Sequence, residues 1–420
     1  MSSQASLQPR RIAIVSHSRA RLGGVESYVA SIVPALQRAG CEVGCWFESD
    51  GDAADPVVPA DSVASCWSAG EFADGGIEAV RAWKPDVVYA HGIVSSDRER
   101  QLMRLAPAVC FAHSYYGACI SGTKTWRVPV VRTCERTLGP GCLAEYYPRR
   151  CGGWNPATLV GQYRLQRARL ALLGDYARIL VASRHMAAEY ARHGLADAVR
   201  VVPLPVESPE GDAPAARPDE AAAGAPRGPW RLLFLGRFEE TKGPHVALES
   251  AALVAARTGR DVHLQISGEG SWRGRLTDQA ARLEANQPNL HVVITPWLSS
   301  EESVRALDRA DALLVPSLWP EPFGLVGVEA ARRGVPAVAF AVGGIPDWLI
   351  DGTTGRLVPA TPPTAQAFAS AIESMLGDTA SVRRMRGACR AAADRFGLDA
   401  HLRALGVVFD EVARTSGRAA

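Results

Sequence analysis

The chain has 420 residues, 47% of them hydrophobic and 21% charged, with a formal net charge of +2. That length exceeds one ordinary core and points to two or three domains, and so small a net charge excludes any argument for nucleic-acid binding from charge alone. Nine cysteines in 420 residues do not make a disulfide scaffold, and no run of eighteen apolar residues gives a membrane-span signal.

In chain order, MSSQASLQPRR leads into the strand-like run IAIVSH (12–17), too short for a signal-peptide core. The cytoplasm is therefore the expected location. Next comes SHSRARLGGVESYVAS, in which Gly23 and Gly24 open a helical pattern that stops at Gly40. Adjacent glycines at a helix N-terminus let a phosphate approach the backbone N–H groups; a plain turn is the alternative, and the spacing is not G-x-G-x-x-G. EVGCWF (42–47), DVVYAH (86–91), ILVAS (179–183) and VRVVPL (199–204) continue the strands. The DGD at Asp50–Asp52 matches a metal-binding pattern, but in an acidic loop after a strand it is read as a turn.

Residues 113–154 stand apart. Cys119, Cys134, Cys142 and Cys151 are spaced C-x14-C-x7-C-x8-C, a set that can close one tetrahedral structural zinc site, although no C-x2-C knuckle is present. Reduced thiols or two disulfides are the alternatives. From Lys124 to Arg169 nine Lys or Arg face two acids, Glu135 and Glu145. Such an excess suits either a solvated face or an anionic or membrane-borne acceptor, with peripheral contact at the inner membrane face.

Residues 207–229, rich in Pro, Ala, Gly and acids, read as an interdomain linker. A second series follows: RLLFLG (231–236), VHLQISG (262–268), HVVITP (291–296), ALLVPS (312–317) and PAVAFA (336–341). Strands alternating with helices mean parallel α/β sheets. The expected division is 1–206, an acceptor domain; 230–400, a nucleotide-sugar domain; and 401–420, a closing helical segment. Both large domains are expected to be Rossmann-like, with ligands beyond the carboxyl ends of their strands.

Three strand-to-helix junctions in this half carry chemistry. In FLGRFEETKGPHVALES, Arg237 and Lys242 suit a diphosphate, as fork and point charge; salt bridges to Glu239 and Glu240 are the alternative. In WPEPFGLVGVEAARRG, Pro320 and Pro322 stiffen the approach to a helix expected from about Phe323 to Arg333. The amides of Phe323, Gly324 and Leu325 are then unpaired donors. Glu329 lies six residues beyond Phe323, about 9 Å along a helix. Glu321 can thus touch a sugar while Glu329 takes a ribose diol; alternatively Glu329 pairs with Arg333 and Glu321 is solvated. The third junction, AVGGIPDWLIDGTTGRLVP (341–359), reads as glycine turns near the same site.

EPFGLVGVE resembles the E-x7-E signature of the retaining glycosyltransferases of family 4, which have the GT-B fold, two Rossmann-like domains facing across a central cleft. LGGVE (22–26), KPDVVYAHG (84–92), FAHS (111–114), LGRFEETKG (235–243) and GGIPDWLIDGTTGRLVP resemble its other motifs, in order. The resemblance implies that Gly23 and Gly24 lie against the diphosphate and that Arg237 and Lys242 neutralise it. It implies that Glu321 and the amides of Phe323, Gly324 and Leu325 bind the donor sugar, and that Glu329 holds the ribose. His113 would stand beside the anomeric carbon; from the residues alone it reads as a structural strand-end histidine. VVPLPVE replaces the family's usual Asn-Gly turn, Pro296 stands where glycine is common, and Asp347 where Glu is usual.

The implied function is transfer of a hexose from a nucleoside diphosphate, a UDP-sugar foremost, to an acceptor hydroxyl in cell-surface polysaccharide, glycolipid or natural-product synthesis. No cofactor is required for that catalysis, structural zinc aside. Two other readings remain: a GT-B sugar-nucleotide epimerase, which needs no acceptor, and a non-catalytic nucleotide-sugar-binding scaffold.

Overall fold

The computed structural model describes residues 10–20, 23–51, 56–206 and 228–416. The expected linker falls outside the described residues except for 228 and 229, as do Asp52 of the DGD and Leu22 of LGGVE. The chain forms two compact units.

The first unit is built on β1 (Arg11–Ser18), β2 (Glu42–Ser49), β3 (Ser65–Ser68), β4 (Val87–His91), β5 (Ala108–Ala112), β8 (Arg178–Val181) and β9 (Val199–Val201). They form a parallel sheet in the order β3-β2-β1-β4-β5-β8-β9, with Ile12 of β1 in register with Val43 on one side and Val87 on the other. Every residue of β4 and β5 is buried. Covered on both faces, such strands read as unbroken apolar runs rather than alternating ones.

The second unit has β10 (Trp230–Leu235), β11 (Val262–Ser267), β12 (Leu290–Thr295), β13 (Ala312–Val315), β14 (Ala337–Phe340) and β15 (Gly355–Val358), parallel in the order β12-β11-β10-β13-β14-β15. In both sheets the chain reverses its direction of strand addition, between β1 and β4 and between β10 and β13. The crevice at such a reversal is where open α/β sheets take ligands.

Two segments depart from the expected division. Thr125–Cys134, holding the antiparallel pair β6 (Thr125–Trp126) and β7 (Arg132–Thr133), groups with the second unit. The chain from Gly397 onward groups with the first. The cause is the helix Leu398–Ser416, whose side chains bond first-unit residues: His401 Nε2 lies 2.7 Å from the Tyr28 hydroxyl, Asp410 pairs with Arg10, and Glu411 pairs with Arg178 and with Arg200.

Candidate active site

In the second unit, the loops after β10, β13 and β14 lock together through glycines. Gly243 has φ 69°, and a Cβ there would stand 2.0 Å from the Pro316 carbonyl oxygen. Gly343, at φ 56°, lies so close to the backbone of Glu321 that a Cβ would fall 2.3 Å from the Glu321 oxygen. The Gly344 N–H donates to that same oxygen at 2.7 Å. Both glycines thus carry a backbone conformation and an approach that a side chain would forbid.

This scaffold presents Glu321. Its carboxylate is buried and accepts hydrogen bonds from Lys242 Nζ at 2.7 Å and from Ser317 Oγ at 2.6 Å. Burial pushes the carboxyl up, but the Lys242 charge and these hydrogen bonds outweigh it and hold the carboxyl below its usual range. The alternative of a solvated Glu321 is therefore wrong. Ser317, which the motif reading passed over, is the second group on this carboxylate; its position four residues before Glu321, at the end of a strand, was the available signal.

Arg237 behaves differently. It is exposed and pairs with Glu239 at 3.2 Å, the salt-bridge alternative, in the ligand-free chain. Lys242 bonds Glu321 rather than either neighbouring acid.

The helix after Glu321 begins at Leu325, not Phe323, and runs to Arg332. Gly324 precedes it in the left-handed conformation, φ 91°, which delays the start of the helix by two residues. Leu325 to Glu329 then spans about 6 Å rather than 9 Å along the axis. Among the described contacts, the amides of Phe323, Gly324 and Leu325 donate no hydrogen bond. Arg333 makes a two-pronged pair with Asp308, at 2.7 Å on each prong, so the Glu329–Arg333 pairing does not occur. Glu329 is exposed, yet surrounding protein thins its hydration and raises its carboxyl. Gly327 has its own reason: a Cβ there would stand 2.0 Å from the Trp348 ring, whose Nε1 donates to the Phe323 carbonyl at 2.7 Å. That glycine seats an indole against the helix, so it is not an open approach for a ligand.

In the first unit, Gly23 caps the helix Gly24–Arg38 with extended backbone, and its carbonyl accepts from the Ser27 amide at 3.0 Å. A Cβ on Gly24 would meet nothing within 4 Å. His113 follows β5, with Nε2 3.1 Å from Nδ1 of the fully buried His91. Burial, then the neighbouring His401, drives the His113 pKa down to about 3, so the ring is neutral. His401, pushed to about 4 by burial, is neutral too. Its Nδ1 lies 2.7 Å from the Pro203 carbonyl and must donate to it. His401 Nε2 then accepts from Tyr28, and Tyr28 in turn accepts from the Tyr89 hydroxyl at 2.7 Å. Pro203 belongs to VVPLPVE, so the segment that replaces the family's Asn-Gly turn is bonded to the C-terminal helix.

Among the described residues no group of three or more His, Cys, Asp or Glu is placed to hold a metal. Cys119, Cys134, Cys142 and Cys151 form no disulfide, and no three of them are grouped as the expected zinc site requires. Cys142 and Cys151 pack against the apolar cluster of Ile120, Leu138, Tyr146 and Leu159, where each thiol points to a backbone carbonyl. No described helix is long and apolar enough to cross a membrane.

Two parallel-sheet units, each with candidate ligand groups at its reversal point, have the architecture of the GT-B class. The chain belongs to the family 4 glycosyltransferases: the family model described as Glycosyltransferase Family 4 matches residues 22–208, and that described as Glycosyl transferases group 1 matches residues 217–392. It is 31% identical over 313 residues to a glycogen synthase of Mycobacterium tuberculosis, covering 74% of this chain and only 64% of that protein. It is 29% identical over 407 residues to a D-inositol 3-phosphate glycosyltransferase of Mycolicibacterium gilvum, covering 87% of this chain and 82% of the relative. The fold is also that of the Anabaena HepE protein solved with UDP and glucose, at a TM-score of 0.64 with 16% identity, over 97% of this chain and 99% of that one.

Proposed function

We propose that this glycosyltransferase moves a hexosyl group from a UDP-sugar to an acceptor hydroxyl with retention of anomeric configuration. The observation that carries the reading is the buried Lys242–Glu321–Ser317 cluster beside the unpaired amides of Phe323, Gly324 and Leu325. Lys242 and Arg237 supply positive charge for a diphosphate, and the amides add donors that need no reorganisation. Glu321 accepts hydrogen bonds from sugar hydroxyls, and the exposed Glu329 takes the ribose.

In the proposed step the bond from the anomeric carbon to the phosphate oxygen breaks, with its electrons left on the diphosphate. The acceptor oxygen bonds to that carbon on the same face, and a phosphate oxygen takes the acceptor's proton. The charge is then met by the protein's own cations without a divalent ion. A neutral His113 suits a carbon that gains positive charge, which an imidazolium would oppose. UDP is favoured as the leaving group because a protein of the same fold was solved with it. The basic excess from Lys124 to Arg169 favours an acceptor with an anionic group.

The test is a thermal-shift panel of UDP- and GDP-sugars with excess EDTA, followed by NMR of the product's anomeric proton. At 100 times its Kd the true donor stabilises the protein by about 2.7 kcal/mol. The product should carry the donor's anomeric configuration. A donor turned over without any acceptor and without sugar transfer would point to the epimerase reading, and no stabilising donor at all would sink the proposal.

A further inference from the structure

The first unit contains a cavity of about 50 Å³ that the reading above does not use. At roughly 10–15 Å³ per enclosed water, it has room for about three to five waters or for a short hydrocarbon chain. His113 and Val25, the residue that follows Gly24, form part of its lining. It therefore adjoins both first-unit features assigned to the reaction. Ile93, Phe111 and Leu173 add apolar wall, and Tyr116 closes a side with Arg169 stacked 4.7 Å over its ring.

Three polar side chains of the lining, Glu99, Tyr190 and His113, already have partners. Glu99, a buried carboxyl in the lining, accepts the Tyr176 hydroxyl at 2.5 Å. Burial pushes that carboxyl up, while Tyr176 and the charge of Arg169 act against the rise. The Tyr190 hydroxyl lies 3.0 Å from both the Ser114 and the Tyr116 carbonyl oxygens. The remaining surface of the cavity is mostly apolar, and a cavity of that kind gains by taking hydrocarbon in place of water.

We propose that this cavity is an acceptor subsite that takes a short apolar portion of the acceptor, a chain of about three or four carbons beside the reacting hydroxyl. A fully polar acceptor would leave it filled with poorly bonded water. The inference rests on the glycosyl-transfer reading and adds the acceptor's chemical class to it.

The probes are methyl β-D-glucoside and n-butyl β-D-glucoside, compared by saturation-transfer NMR on the full chain saturated with UDP. Each extra methylene buried contributes about 0.8 kcal/mol, so the butyl compound should bind at least about tenfold more tightly than the methyl one. Ala112→Val narrows the cavity from β5, and Tyr116→Ala removes a half-exposed wall with little demand on folding. Each should bring the butyl-to-methyl ratio close to one while UDP still raises the melting temperature as in the parent. Equal binding of the two glucosides to the parent, or a butyl preference that survives both substitutions, overturns the subsite. Loss of the UDP shift in the parent would instead strike the donor reading.

Discussion

In the second unit the loop after β13 buries a carboxylate against a lysine and a hydroxyl; in the first, the ends of β4 and β5 bury His91 and His113 with no charged partner. Each place lies at or next to its sheet's reversal point, so the topology is shared and the electrostatics are opposite. Where the diphosphate would lie the protein keeps ions and satisfies them with one another until a ligand arrives. Around His113 it uses burial to keep three imidazoles neutral. One sheet edge is prepared for charge, the other for its absence.

The largest effect expected from breaking this contrast is at Glu321. Glu321→Ala leaves Lys242 and Ser317 without their shared acceptor. Transfer should fall roughly 100- to 1,000-fold, and stability should fall by about 3–5 kcal/mol, the cost of splitting a buried pair. Steady-state kinetics and denaturant melts measure the two losses. A variant with near-normal kcat would remove Glu321 from the chemistry.

Acid separates the units next. The histidines have folded pKa values below their ordinary 6.5, so the stability they lend is complete above that value and is lost as pH falls toward the folded values of about 3 for His113 and about 4 for His401. Glu321 is also depressed, from an ordinary 4.5, so its contribution is lost only below that pH. Between pH 6.5 and 4.5 hydrogen exchange should therefore quicken in the helix Gly24–Arg38 but not in Leu325–Arg332, where the raised carboxyl of Glu329 acts in the opposite sense. Equal acceleration in both would show that burial does not set the difference.

Gly327→Ala tests the packing beneath the charged site. The added methyl meets the Trp348 ring and should cost about 1–3 kcal/mol, read by thermal melting, with a weaker donor affinity as the helix shifts. The smallest change belongs to Arg237→Ala. Its exposed pair with Glu239 contributes little to folding, so stability should move by less than about 0.5 kcal/mol. The donor KM should rise about tenfold through loss of one charge-assisted contact.

Much of the fold was legible because buried parallel strands are long apolar runs. IAIVSH and EVGCWF lie within the strands observed there, and RLLFLG overruns its strand by Gly236 alone. SCWS and GRLV were not legible, since β3 is short with polar ends and β15 starts on the Gly355 of a turn. The motif led to Glu321, Lys242 and Glu329, but the bond between Lys242 and Glu321 crosses 79 residues and has no local pattern. The early helix start at Phe323 failed because propensity does not show that Gly324 would adopt φ 91°. Likewise a lone Gly327 does not announce the indole, 21 residues further on, that needs its empty side.

The return of the C-terminal helix also sets a timetable. The first unit's strands leave the ribosome early, but the His401 that Tyr28 bonds lies 373 residues later. At roughly 5–20 residues per second, Tyr28 waits on the order of 20–75 s for its partner, and Arg10 slightly longer for Asp410. Over that interval the nascent first unit lacks the apolar cover and the carboxylates that this helix brings to it. Ribosomal stalling near codon 390 should raise aggregation more than stalling at an equal distance into the second unit's strands.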